Sequence, residues 1–235
     1  MRCFSTSLSA IILVLGGVLI PHPRSASAAL IGSLSTPQAG GIIGGDDWAP
    51  APDGDGFRIA WNISQNANGS WHYVYTVTDE NQDPLRPAAS HIILQLSENI
   101  TPRDLYNYAG DIEEHEFGTF GPAPSNPGFP SGKSIFGIKF ELDGSATRVE
   151  FDSTRHPMWG DFYSKGGRRS YAYNADLGVP VQNLHDYNDT PRDALGNALD
   201  KILVPNMVPE PASLALLLLG GLTLAGRSRK TRGVF

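Results

Sequence analysis

The residue patterns that could do chemistry are few and scattered. Asp53-Gly54-Asp55-Gly56 alternates carboxylates with glycines, as the opening of a calcium loop does. A helix–loop–helix calcium site needs a glutamate further on, where Ile63 and Ser64 stand, so a plain turn ahead of a strand is the competing reading. Gly132-Lys133-Ser134 matches only the end of a phosphate-binding loop, because Pro127 occupies the place of its first glycine. His115-Glu116 opens a zinc-protease pattern that lacks its second histidine, and no Gly-x-Ser-x-Gly elbow occurs. Glu113, Glu114 and Glu116 read as a solvated loop. The ring faces of Trp48, Trp61, Trp71 and Trp159 can stack on the apolar face of a sugar. Trp61 and Trp71 alternate with polar neighbours and read as core. Trp159 lies between Pro157 and Gly160 and reads as partly exposed, with Asp161 and Arg155 as adjacent polar groups. Trp159 and Asp161 are therefore the candidate glycan contact. Asp53 and Asp55 are the candidate metal ligands, with calcium as the cofactor they would take. No residue is assigned a catalytic role.

The elements that must position these residues are strands. Phe57, Ile59, Trp61 and Ile63 alternate with polar or small residues, and so do Trp71, Tyr73, Tyr75 and Val77. Asn66-Ala67-Asn68-Gly69 between them is a turn signal, so 57–78 reads as a hairpin. His91 to Leu96 is a third, more deeply buried strand. Asn99 or Thr101 can cap a short helix over 99–113, with Pro102 in its first turn and Leu105, Tyr106 and Tyr108 on its apolar face. Gly118 to Gly132 carries four prolines and four glycines and reads as a long loop crossing between sheets. Phe136 to Leu142 and Val149 to Phe151 read as a hairpin turned by Asp143-Gly144. Trp159 to Ser164 and Arg169 to Asn174 read as another, turned at Gly166-Gly167, and 201–204 as a last strand. Residues 30–56 and 175–198 read as irregular. Eight or nine short strands with little helix give a mainly β chain, an antiparallel β-sandwich or jelly-roll-like domain.

Both ends of the chain read as addresses. Arg2, an apolar stretch from Leu8 to Ile20 and the small-x-small sequence Ala26-Ser27-Ala28 form a secretory signal peptide over 1–28, for export through the Sec translocon and removal by signal peptidase. The sole cysteine, Cys3, lies within it. Cleavage after Ala28 leaves a thiol-free chain, which excludes disulfides and cysteine-ligated zinc. Residues 29–207 form the exported domain. Over residues 29–209 the chain has 12 basic and 23 acidic residues, a net charge of −11, which argues against nucleic acid or an anionic membrane as partner. At the other end, Val208-Pro209-Glu210-Pro211 precedes a charge-free, leucine-rich stretch from 212 to 226. The prolines hold the motif extended, the form a protease cleft grips. Arg227, Arg229, Lys230 and Arg232 resist translocation and keep the tail end cytoplasmic.

This tripartite tail, 208–235, resembles the PEP-CTERM sorting signal of certain bacteria, with Val208, Pro209, Glu210 and Pro211 matching position by position. The resemblance implies recognition by exosortase, a membrane cysteine protease that cuts near the motif. It also implies a precursor tethered in the inner membrane by its C-terminal transmembrane helix, then a protein at the cell surface or outside the cell. The middle is similar, more loosely, to PEP-CTERM proteins with a secreted β-rich domain. The residues that carry this likeness are Ser90-His91, Gly137 to Phe140, Pro157 to Tyr163, Ala172 to Asn174 and Ile202 to Pro205. Such proteins are associated with exopolysaccharide and biofilm. The expectation is a non-enzymatic surface or matrix protein. A carbohydrate-binding module is the alternative, with polysaccharide as its partner, and a secreted hydrolase comes third.

Overall fold

The computed structural model describes residues 28–36, 41–50, 52, 54–143, 148–184 and 187–205. In chain order the strands among them are β1 Leu30–Ser35, β2 Ile42–Gly44, β3 Arg58–Gln65, β4 Trp71–Thr78, β5 His91–Gln95, β6 Leu105–Gly110 and β7 Ile112–Phe120. They continue with β8 Ile135–Leu142, β9 Arg148–Ser153, β10 Pro157–Gly160, β11 Phe162–Lys165, β12 Tyr171–Asn174 and β13 Ile202–Pro205. One sheet has the order β1-β3-β4-β9-β6, the second β2-β12-β11-β5-β8-β7, and β10 pairs with β13 alone. Every pairing is antiparallel.

The β3–β4 hairpin forms as its alternation predicts. Ile59, Trp61 and Ile63 stand opposite Val77, Tyr75 and Tyr73, and all six are buried. Gly69 closes the turn at φ +91, which a residue with a side chain adopts only under strain. The inner faces of the two large sheets then meet. Phe140 of β8 stacks on Phe151 of β9 at 5.5 Å, and Phe57, just ahead of β3, on Phe162 of β11 at 6.0 Å. Ring stacking across the layers adds to the burial itself. The buried Tyr75 hydroxyl donates to the Leu203 carbonyl at 2.8 Å, which ties β4 to β13. The molecule is thus mainly β, built of antiparallel sheets packed together.

Several local expectations are corrected. Val149 and Phe151 do not return beside Phe136 to Leu142: β8 pairs with β5 and β7, whereas β9 pairs with β4 and β6. The chain changes sheet there, and Phe140 and Phe151 face each other across the core. Residues 99–113 hold a single 3-10 turn, Pro102–Asp104, and then strands. Thr101 caps that turn and Asp104 answers it, as the sequence allowed. Asn107 at φ +55 interrupts the run, and Tyr106 and Tyr108 serve a strand. The segment after Phe120 joins β7 to β8 within one sheet and crosses nothing. It folds over the outer face, where Phe129 packs with Ile93, Ile135, Tyr163 and Leu177 in a second small core. Glu113, Glu114 and Glu116 lie in an edge strand, exposed to solvent, and Glu116 pairs with Lys139. Residues 30–56 contain β1 and β2. Both are short and rich in Gly or Ser, which hid them.

A polar knot fixes the junction of β10, β11, β12 and β13. Asp161, 3% exposed, sits between β10 and β11. Its carboxylate accepts from Asn174 Nδ2 at 2.7 Å, from the Gly178 amide at 2.8 Å and from Lys201 Nζ. Lys201, 2% exposed, also donates to the Asp176 carbonyl at 2.7 Å. Breaking such a pair from one side leaves a charge without compensation in a low-dielectric interior. Lys201→Met should therefore cost about 3–5 kcal/mol, read as a lower urea midpoint. Adding Asp161→Asn should recover part of the loss.

A second buried group makes stability depend on pH. His91, at the start of the central strand β5, is 4% exposed, and burial is the main cause that pushes its pKa from 6.5 down to about 4. The unfolded chain then binds the proton more readily than the folded one. Its contribution is complete above pH 6.5 and is lost as pH falls toward 4. The difference corresponds to about 3 kcal/mol. Unfolding curves from pH 7 to pH 4 should show a decline that is shallower by about this amount in His91→Gln.

Candidate functional site

Most of the features expected at the chain ends fall outside the described residues. These are Ala26 of the cleavage sequence, Val208, Pro209, Glu210 and Pro211 of the motif, the helix at 212–226, and Arg227, Arg229, Lys230 and Arg232. Ala28 is described and exposed, two residues ahead of β1. Among the described residues no helix is long and apolar enough to cross a membrane. Asp53 also lies outside. Asp55 is exposed, and its carbonyl accepts from the Glu80 amide at 3.3 Å. Among the described residues no group of three His, Cys, Asp or Glu side chains is placed to hold a metal ion. Gly132-Lys133-Ser134 is an exposed loop that runs into β8.

The tryptophans divide sharply. Trp48, Trp61 and Trp71 are 0%, 6% and 3% exposed. Trp159, on β10 opposite Leu203 of β13, is half-buried. Its ring meets the edge of Trp61 at 6.3 Å and 85°, so one indole props the other. Trp159 borders a cleft of about 520 Å³ walled by Leu96, Phe136 and residues 178–181, with Asp161 and Lys201 at its base. That is the size range of small-ligand sites. On its other side Trp159 borders a second hollow of about 260 Å³, with Leu30, Trp61, Tyr187, Asn188 and Leu203. The structure thus brings Trp159 and Asp161 to one cleft, but the Asp161 carboxylate is fully engaged inside. Arg155 is elsewhere: its guanidinium pairs with Asp104 at 2.9 Å. Burial alone would raise the Asp104 carboxyl, but Arg155, Thr101 and Thr154 bring it down to about 2.

One cluster escaped the sequence reading. On the outer face of the five-stranded sheet, His72 Nδ1 lies 2.9 Å from Asp152, with Ser64 as the cross-strand neighbour of His72. Burial would raise the Asp152 carboxyl, but hydrogen bonds from Asn107, His72 and Asn66 hold it below the usual range. Three strands supply the row, so only the register β3–β4–β9 could have revealed it. Glu150 stands 3.5 Å from His72 Nε2, the atom a nucleophilic serine would need. The cluster is a polar network on an open face, held by hydrogen bonds to Asp152.

Comparison with known families identifies residues 208–230 as a PEP-CTERM protein-sorting motif. No curated protein and no solved structure matches the chain. The match covers the tail alone, yet its meaning is specific: the motif marks an exported, membrane-sorted protein processed by exosortase. The chain is thus a β-rich domain of unknown activity that carries a PEP-CTERM sorting signal at its C-terminus.

Proposed function

We propose that the chain is a cell-surface or extracellular-matrix protein without enzymatic activity, associated with exopolysaccharide and biofilm. It leaves the cell by the Sec route, loses residues 1–28 to signal peptidase, and presents a β-sandwich of jelly-roll-like kind. The observation that carries this reading is the position of the sorting motif. Only Asn206 and Met207 separate Val208 from Pro205, the end of β13. Fully extended, that link spans about 11 Å. The folded domain is therefore complete where the motif begins, as a sorted cargo requires. The other end supports this. Ala29, Leu30 and Leu203 line the same hollow, so the domain's two ends emerge at one pole.

A second reading, a carbohydrate-binding module, is favoured by Trp159, which is half-buried where the other three tryptophans are buried and which lines both hollows. A hydrolase has less support. Of the two carboxylates at that cleft, Glu98 is exposed and Asp161 is held by Lys201.

The sorting reading is tested by intact mass and fractionation in the native host. The wild-type chain should be found outside the inner membrane, starting near Ala29 and ending near Pro209. Glu210→Ala, or glutamine at Arg227, Arg229, Lys230 and Arg232, should leave the tail uncut and the protein in the membrane. Release of these variants at the wild-type level would defeat the proposal.

A further inference from the structure

The two hollows beside Trp159 have that residue in common. Trp159 pairs with Leu203 across β10–β13, and Lys201 lies two residues ahead of Leu203, just before that strand begins. Lys201 lines the larger hollow and Leu203 the smaller, and Trp159 lines both. The irregular segment after β12 walls both, with Gly178 to Val181 and Leu184 along the first and Tyr187 and Asn188 along the second. Trp159, braced by Trp61, lines both open hollows.

The lining also has a definite chemistry. Thr119 and Ser134 bring hydroxyls to the first hollow and Asn188 brings an amide to the second, and all three residues are exposed. Its charges nearly cancel. Lys201 is neutralised by Asp161, which leaves Glu98 among the described lining residues. Removal of the signal peptide after Ala28 would place one α-ammonium at the second hollow. Around this nearly neutral strip the exported domain carries a net charge of −11 over residues 29–209, a field that repels polyanions.

Resting on the carbohydrate reading of Trp159, we propose that these hollows form a single groove for a linear, neutral polysaccharide. One sugar stacks on the Trp159 ring and the chain extends into the hollow on each side. The hydroxyls and the amide bind sugar hydroxyls, and uronic-acid or sulfated polymers are excluded by charge.

The test uses the full chain in detergent micelles, titrated with neutral glucan, mannan and xylan oligosaccharides and with alginate. A neutral hexasaccharide should bind at least about tenfold tighter than the disaccharide of the same sugar, a difference that titration resolves. Trp159→Ala should weaken binding at least about tenfold, while Trp159→Phe, which keeps a ring, retains most of it. Ser134→Tyr and Asn188→Tyr, each at an exposed position that does not threaten folding, should block one hollow apiece and reduce hexasaccharide affinity. Equal affinity for short and long chains, or indifference to either blocking variant, would overturn the two-hollow groove. Preference for alginate that still depends on Trp159 would overturn the neutral class and leave a carbohydrate site standing. Failure of every polysaccharide to bind would sink the carbohydrate reading itself.

Discussion

The fold's most demanding constraint is the burial of two opposite charges, Asp161 and Lys201, at the meeting point of four strands. A carboxylate and an ammonium group leave water at a cost that their attraction repays only when the remaining donors and acceptors are satisfied. Here they are satisfied from several directions. Asn174, on β12, gives its amide nitrogen to Asp161 and accepts the Phe162 amide on its oxygen. Gln95, from β5, exchanges hydrogen bonds with Asp161 through both side chain and backbone. The loop after β12 is held by the Gly178 amide and the Asp176 carbonyl. The ion pair therefore ties β10, β11, β12 and β13 together, the Asp161 backbone adds β5, and the pair sets the floor of the cleft. Apolar residues would pack there with less penalty, but they would not choose one arrangement of these short strands over another.

Much of this molecule was legible in its residues, for identifiable reasons. The β3–β4 hairpin had a strict period, aromatic and β-branched residues and a turn that needs glycine. Trp61 and Trp71 were readable as core from the same alternation. The turn at Gly166 joined β11 to β12 because residues on both sides could pair directly. Local chemistry decided each of these. What escaped was decided by partners far away in sequence. Nothing between Leu142 and Arg148 says that the next strand joins the other sheet, because a turn residue serves a hairpin and a crossover equally. β1 is strand only because β3 lies beside it, and a chain reading Leu-Ile-Gly-Ser-Leu-Ser carries little preference of its own.

The site shows the same division. Trp159 stood out through its proline and glycine neighbours. Asp161 beside it suggested a polar contact, yet its role is internal, since the cation it meets lies forty residues on. Lys201 gave no signal, because a lysine opening an apolar strand says nothing of the carboxylate forty residues back that it meets. The second hollow was invisible for a similar reason. It is assembled from the start of the domain, its last strand and an irregular loop.

The edge strand β7 has a bearing on how copies of this protein meet one another. A strand nine residues long that is paired on one edge alone among the described residues is a template for joining sheet to sheet, and such joining propagates into fibres. Glu113, Glu114 and Glu116 place carboxylates along that open row. Two copies approaching edge to edge bring the same charges together, and at physiological salt the repulsion is felt within about 8 Å. The edge thus behaves as a spacer. It favours separate sheets when copies are close, and concentrated salt would remove that guard.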